Sequence, residues 1–433
     1  MVFGEKMLAR WLYSLVFYLA TPYLLYRLNA RGKLNPAYRE RKRERFGLYD
    51  RAPLSKSIWI HTVSVGELIA AQPLIEQLLQ DYPQIPVVVT TMTPTGSDRV
   101  LAAFENRVHH VYLPYDMPDA MVRFLDCFNP LVSVIMETEL WPNMIHYSRR
   151  RGVPVIVANA RMSERSAEGY NKVKFLVRPM LREISVIAAQ ATPDGERFVE
   201  LGLPSTSLKV TGTVKFDLAI DDTLKQEAAD LRKAWGNERP VFVAASTHEG
   251  EDAQVLKAFK YIQSTLDNAL LVLVPRHPER FDSVALLVNQ KGWVLARHSQ
   301  SDIVTADTSV VLGDTMGELL KLLGASDVAF IGGSLEPVGG HNMLEALAMG
   351  TPAITGPHVI NFQVVADLLT ELDVLSTVTT PLGLGQTALS MLQDTVCREK
   401  LAAKGLQVVD ENRGAMGRLL NIIRGYLPDN LSG

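Results

Sequence analysis

Ile58-Trp59-Ile60-His61-Thr62 is a short run of β-branched and aromatic residues, and an amphipathic stretch follows it at 68–79. The pair recurs at once as Pro86-Val87-Val88-Val89-Thr90-Thr91 and then 95–104. Further strand-type runs lie at 108–113, 131–136, 153–158, 186–189 and 208–211, with helical stretches such as 141–150 and 193–201 between them. Unbroken apolar strands alternating with helices imply a parallel sheet covered on both faces. Ligands of such a doubly wound sheet bind beyond the carboxyl ends of its strands.

The alternation breaks at Gly212-Thr213-Val214-Lys215-Phe216-Asp217, which leads into an acidic stretch with Asp221 and Asp222. A second series follows, with strands at 241–245, 270–274, 328–331 and 352–355 and helices at 251–264 and 341–349. A last helical stretch, 410–426, is expected to pack back on the first domain. The expected fold is α/β, with two doubly wound Rossmann-like domains facing a cleft. Residues 1–50 form an anchor and basic segment, 51–215 the first domain, 216–410 the second and 411–433 a returning helix.

Composition narrows the function. A chain of 433 residues exceeds one ordinary domain, and 47% hydrophobic against 21% charged residues describes a folding chain. A net charge of −3 speaks against nucleic-acid binding. Two distant cysteines, Cys127 and Cys397, make no disulfide framework and fit a reducing compartment. No zinc spacing, HExxH pair, Asp-x-Asp element, P-loop or GxGxxG is present, so neither a metal nor a dinucleotide cofactor is expected.

Residues 11–26 are uncharged and rich in Trp, Tyr, Phe and Leu, and they are followed by Arg27, Arg31, Lys33, Arg39, Arg41, Lys42, Arg43, Arg45 and Arg51. The run is shorter than the ~20 residues that cross a bilayer comfortably. A basic cluster beside it fits an anionic membrane face, reached by spanning or by lying in the interface. A buried amphipathic helix with a solvated basic face is the other reading. No small-residue cleavage site follows, which disfavours a signal peptide.

Candidate chemistry gathers at strand ends. Ser64-Val65-Gly66-Glu67 opens the first helix, where Glu67 is placed to take a proton from a hydroxyl and the helix dipole is expected to keep it ionised. Glu137-Thr-Glu139-Leu-Trp-Pro-Asn143 puts two acids and a Trp at another strand end, suited to a sugar. The alternative is acids in front of a helix that Pro142 starts. Pro275-Arg276-His-Pro-Glu-Arg280 offers guanidinium forks for phosphate, or else a salt-bridged loop. Ser246 or Thr247 is read as a cap for the following helix. Gly332-Gly333 ends a strand, and Gly339-Gly340-His341-Asn342-Met343-Leu344-Glu345 opens a helix whose N-terminus suits an anion. Glu345 is suited to a ribose.

Seven segments in order — Ser64 to Glu67, Glu137 to Asn143, Asn159-Ala-Arg161-Met-Ser163, Lys215-Phe-Asp217, Pro275 to Pro278, Met316-Gly317-Glu318 and Gly339 to Asn342 — resemble the 3-deoxy-D-manno-octulosonic acid (Kdo) transferases. The resemblance covers nearly the whole chain. It implies the GT-B fold, CMP-Kdo as donor, a lipid A precursor as acceptor, inversion at the anomeric carbon, and action at the cytoplasmic face of the inner membrane. By the same resemblance Glu67 is the catalytic base. Pro275, Arg276, Met316, Gly317, Glu318, Gly339, Gly340, Asn342, Met343, Leu344 and Glu345 belong to the CMP-binding segments. Ser64, Gly66, Glu137, Glu139, Arg161 and Lys215 are assigned to substrate positioning, with Lys215 or Arg161 on the donor carboxylate. The competing readings are a UDP-sugar-dependent GT-B transferase or epimerase, and a non-catalytic membrane adaptor.

Overall fold

The computed structural model describes residues 2–33, 35–218 and 220–428, with the backbone alone for 2–7. The chain divides into two compact units, Met1–Asp217 with Arg413–Gly433, and Leu218–Asn412.

The first unit is built on seven parallel strands: β1 (Ser57–His61), β2 (Val87–Thr91), β3 (His109–Tyr112), β4 (Pro130–Met136), β5 (Val155–Ala160), β6 (Val186–Ala189) and β7 (Leu208–Val210). Their order is β3-β2-β1-β4-β5-β6-β7. Successive side chains of a strand point to opposite faces, so the single run Ile58-Trp59-Ile60 feeds two cores. Ile58 and Ile60 pack with Leu68, Leu74 and Leu78 of α2 (Val65–Asp81). Trp59 packs on the other face with Phe124 and Phe128. This double burial is why β1 reads as continuously apolar.

The carboxy-terminal stretch differs from the single helix expected at 410–426. One helix, Thr395–Asn412, stops in the second unit, and Gly414 turns the chain in the left-handed region (φ 89°). Helix Ala415–Arg424 then joins the first unit and sets Leu419 and Ile423 in the core beside α2. The Asp217 carboxylate holds its start, accepting from the backbone N–H groups of Gly414 at 2.5 Å and Met416 at 2.6 Å.

The first 50 residues also belong to the first unit. Helix α1 (Val2–Arg31) docks through Arg10 and Ser14 on Asn143 and through Phe17 on the edge of Trp141. Its other face leaves Trp11, Leu15, Leu19, Tyr23 and Tyr26 exposed. Among the described residues no helix is long and apolar enough to cross a membrane. The basic segment is only partly available to a lipid surface. Arg45 is buried over the Tyr112 ring and donates to the Met92 carbonyl, and Arg41 binds Glu44 and the His110 carbonyl.

The second unit repeats the design with β8 (Val241–Thr247), β9 (Leu270–Pro275), β10 (Leu295–Arg297), β11 (Val310–Leu312), β12 (Val328–Ile331), β13 (Ala353–Thr355) and β14 (Leu375–Thr377), in the order β10-β11-β9-β8-β12-β13-β14. The sequence reading lacks β10, β11 and β14. Each is three residues long, too short to show a period of two.

Truncating Ile423 to Ala should cost about 2–5 kcal/mol, as for other fully buried aliphatic side chains. Urea unfolding of the full chain measures it, and an unchanged midpoint would show the carboxy-terminal helix to be dispensable.

Candidate active site

The strand order reverses between β1 and β4, which opens a crevice at their carboxyl ends. Glu67, in the first turn of α2, stands there and is only 7% exposed. Ser64 caps the helix by accepting from the Glu67 N–H at 3.2 Å, and its hydroxyl donates to Glu67 Oε1 at 2.9 Å. The Val63 N–H donates to Oε2 at 2.7 Å. Contrary to the expected dipole effect, the carboxyl is not held at an ordinary acidic value. Burial raises its pKa to about 7, only partly offset by the Val63 and Ser64 bonds, and the charges of Glu137 and Glu139 push it further up. A Cβ built on Gly66 would meet nothing but Ser64 Oγ, at 3.8 Å, so local packing does not demand glycine there.

The structure brings the other first-unit candidates to the same edge. Glu137 follows β4 in the left-handed region (φ 57°) and Asn159 does so in β5 (φ 54°), conformations that side chains other than glycine adopt at a cost. Glu139 accepts from Trp141 Nε1 at 3.0 Å, and burial raises its pKa. Pro142 is the first residue of the next helix, as the sequence alternative had it. Arg161 is tied to Thr138 through its backbone N–H, at 3.2 Å. Burial lowers the pKa of Lys215, opposed by Glu137 and reinforced by Arg161. Glu137 thus acts on Glu67, on Glu139 and on Lys215, and Lys215 also senses Arg161.

A cavity of about 320 Å³ adjoins this edge, and Val63 and Trp141 lie in its wall. Phe17, Leu24 and Leu28 of α1 give it an apolar side, and Arg27 and Arg31 also line it.

In the second unit the order reverses between β8 and β12. Pro275 and Arg276 end β9, Met316 to Glu318 follow β11, and Gly339 to Glu345 follow β12, so the three nucleotide candidates share one sheet edge. The helix expected at 341–349 is only Leu344–Ala348, too short to carry much of a dipole. Asn342 replaces it as the local organiser, accepting from the Leu344 N–H at 3.2 Å and donating to Glu345 Oε1 at 3.3 Å. Burial raises the pKa of Glu345. Met316 is exposed and Gly317 is left-handed (φ 87°). Glu318 pairs with Lys321 at 2.5 Å, and this bond lowers its pKa.

The two arginines of the β9 loop part company. Arg280 binds buried Asp252 and the Thr247 carbonyl, which makes it structural. The Arg276 guanidinium makes no hydrogen bond or ion pair among the described residues. Neither Ser246 nor Thr247 caps the next helix. Ser246 is left-handed (φ 58°), Thr247 donates to Asp252 at 2.7 Å, and Gly250 is the cap residue. Sequence reasoning missed Glu251. Fully buried, it accepts backbone N–H groups from His248, Gly333, Ser334 and Leu335 at 2.6–2.9 Å and so binds the β12 loop to the β8 loop. An acid directly after Thr-His-Glu-Gly was visible, but its Gly333, Ser334 and Leu335 partners lie 82–84 residues away.

The sequence profile of the family described as "3-Deoxy-D-manno-octulosonic-acid transferase (kdotransferase)" matches residues 40–218. The 3-deoxy-D-manno-octulosonic acid transferase of Haemophilus influenzae is 43% identical over 98% of this chain and 100% of its own. The chain belongs to the Kdo transferase family. The solved C-terminal CMP-Kdo binding domain of WaaA from Acinetobacter baumannii is 33% identical, covering 44% of this chain and 99% of that one, with a TM-score of 0.42. The UDP-GlcNAc 2-epimerase of Neisseria meningitidis is 15% identical and covers 86% of this chain and 99% of that one, with a TM-score of 0.56. That likeness shows the fold, two doubly wound sheets of the GT-B class. In this Kdo transferase each sheet gathers its candidate residues at its own carboxyl edge.

Replacing Gly66 with Ala should leave the melting temperature unchanged or slightly higher, since alanine favours a helix by about 0.5–1 kcal/mol. Transfer should fall if the open space beside Glu67 is for substrate. A variant with full activity would remove Gly66 from the site.

Proposed function

We propose that this member of the family transfers Kdo, with inversion, from CMP-Kdo to a hydroxyl of a lipid A precursor. The acceptor oxygen attacks the anomeric carbon as its proton passes to Glu67. The bond from that carbon to the phosphate oxygen breaks, and CMP leaves with the electron pair. One observation carries the reading: a carboxylate at the reversal of strand order, both oxygens oriented by donors, with a proton affinity near neutrality. A base works best when its pKa is close to the working pH. Arg276 meets the charge growing on the leaving phosphate, which assigns to a guanidinium what other transferases ask of a metal. Asn342 and Glu345 hold the nucleotide, and Arg161 with Lys215 faces the sugar carboxylate.

The acceptor is a phosphorylated, acylated glucosamine disaccharide. The cavity beside α1 offers apolar walls for an acyl chain and Arg27 and Arg31 for phosphate. The exposed stripe Trp11, Leu15, Leu19, Tyr23 and Tyr26 lies in the membrane interface, at the cytoplasmic face of the inner membrane.

Glu67→Gln should bind CMP as before and lose about 10²-fold or more in transfer. Activity above roughly a tenth of the parent would remove Glu67 as base. Since the base must be unprotonated, kcat/KM for the acceptor, measured at saturating CMP-Kdo, should fall about tenfold per pH unit below pH 7 and level off above it. A flat profile from pH 5 to 8 contradicts the assignment. Added EDTA should leave transfer unchanged. Calorimetric titration with CMP and UMP decides the nucleotide.

A further inference from the structure

Two imidazoles meet edge to edge between the β8 and β12 loops. His248 Nε2 and His341 Nε2 are 2.8 Å apart, with the ring planes within 8° and the centroids 5.0 Å apart. The nitrogen separation of 2.8 Å is a hydrogen-bond distance, so the nitrogens point at each other and share one hydrogen: one donates, the other accepts. The pair lies against Gly333, where a Cβ would come within 3.0 Å of the His341 ring, and His341 immediately precedes Asn342. Neither histidine has a part in the mechanism above.

The surroundings explain the pair's charge. Arg276 and His277 of the β9 loop act on both rings, and His277 stands edge-on to His248 with centroids 5.1 Å apart. Arg280 adds positive charge but is neutralised by Asp252. Glu251 favours protonation of His248, but its oxygens already accept four N–H groups. Glu345 is engaged by Asn342, and Glu336 accepts from Gln254 at 2.8 Å. Burial and the nearby cations therefore keep the free pair neutral, with the His341 pKa lowered to about 4.

We infer that the His248–His341 pair is a proton-accepting positioning element of the donor site, which gains one proton when an anionic phosphate ester binds at Arg276. This rests on reading the second unit as the donor site. An anion there cancels the Arg276 charge and adds attraction of its own. One charge about 4 Å away at an effective dielectric of 20 changes proton affinity roughly a thousandfold, which brings the pair near neutrality. The proton enters at a ring nitrogen outside the shared bond, so that bond survives and the Asn342 turn stays in place.

The test uses the methyl ester of CMP, which carries one negative charge and no proton that titrates near neutral pH. Calorimetry on the full chain, in buffers of different ionisation heat, reads proton uptake directly. Uptake approaching one proton at pH 6 is expected, with affinity about tenfold tighter at pH 6 than at pH 8. His341→Gln and His248→Gln, which keep a hydrogen-bonding partner but do not titrate, should abolish uptake and flatten the dependence. Binding of the parent protein without proton uptake overturns the inference and leaves the donor reading standing. Uptake unchanged in both variants assigns the proton elsewhere and overturns it too. If the cytidine ester does not bind, the nucleotide reading falls, and the same measurement is made with the uridine ester. Failure of both esters sinks the donor site and the inference together.

Discussion

Strand order reverses between β1 and β4 in one sheet and between β8 and β12 in the other, and the loops on either side of each of these reversals run apart. The rest of the site depends on these two breaks. Every strand is parallel to its neighbours, so all fourteen end at the carboxyl edge of their own sheet. Polar residues that continue a strand therefore collect there, beside a gap that no crossover helix fills. Glu67 and Glu137 flank one break, and His248 and Gly333 flank the other.

At the first break a single hydrogen-bond pattern does two things. Ser64 and Glu67 satisfy the first turn of α2, which any buried helix start requires. The same bonds fix the orientation of both Glu67 oxygens. Burial and the neighbouring acids raise the proton affinity while the two donors lower it, and the balance lies near neutral pH. An exposed first-turn glutamate would be acidic and mobile. This one is oriented by groups that the fold needs in any case.

At the second break the backbone is organised by a buried carboxylate rather than by a helix dipole. Glu251 gathers N–H groups from two loops, and a charge so satisfied tolerates complete burial. In the β9 loop the Arg276 guanidinium stays unengaged among the described residues while Arg280 is locked to Asp252. Two arginines four residues apart thus differ: Arg280 is framework, and Arg276 is the one left available for the phosphate proposed above.

Much of this was legible from residue types alone. Apolar strands alternating with amphipathic helices specify parallel sheets, because only a sheet covered on both faces buries such strands. Ser64 and Glu67 could be placed at the first strand's end, since Ser-x-x-Glu is a local helix-start signal. Seven ordered segments carried the family resemblance. Tertiary structure decided what depends on residues distant in sequence. It set the Glu67 pKa through burial and through Glu137 and Glu139, shortened the helix after Asn342, buried Arg45 and engaged Arg41, and broke the last helix at Gly414. It also joined His248 to His341 across 93 residues. Periodicity records which face of an element is buried, whereas proton affinity and pairing depend on what the folded chain brings within a few ångströms.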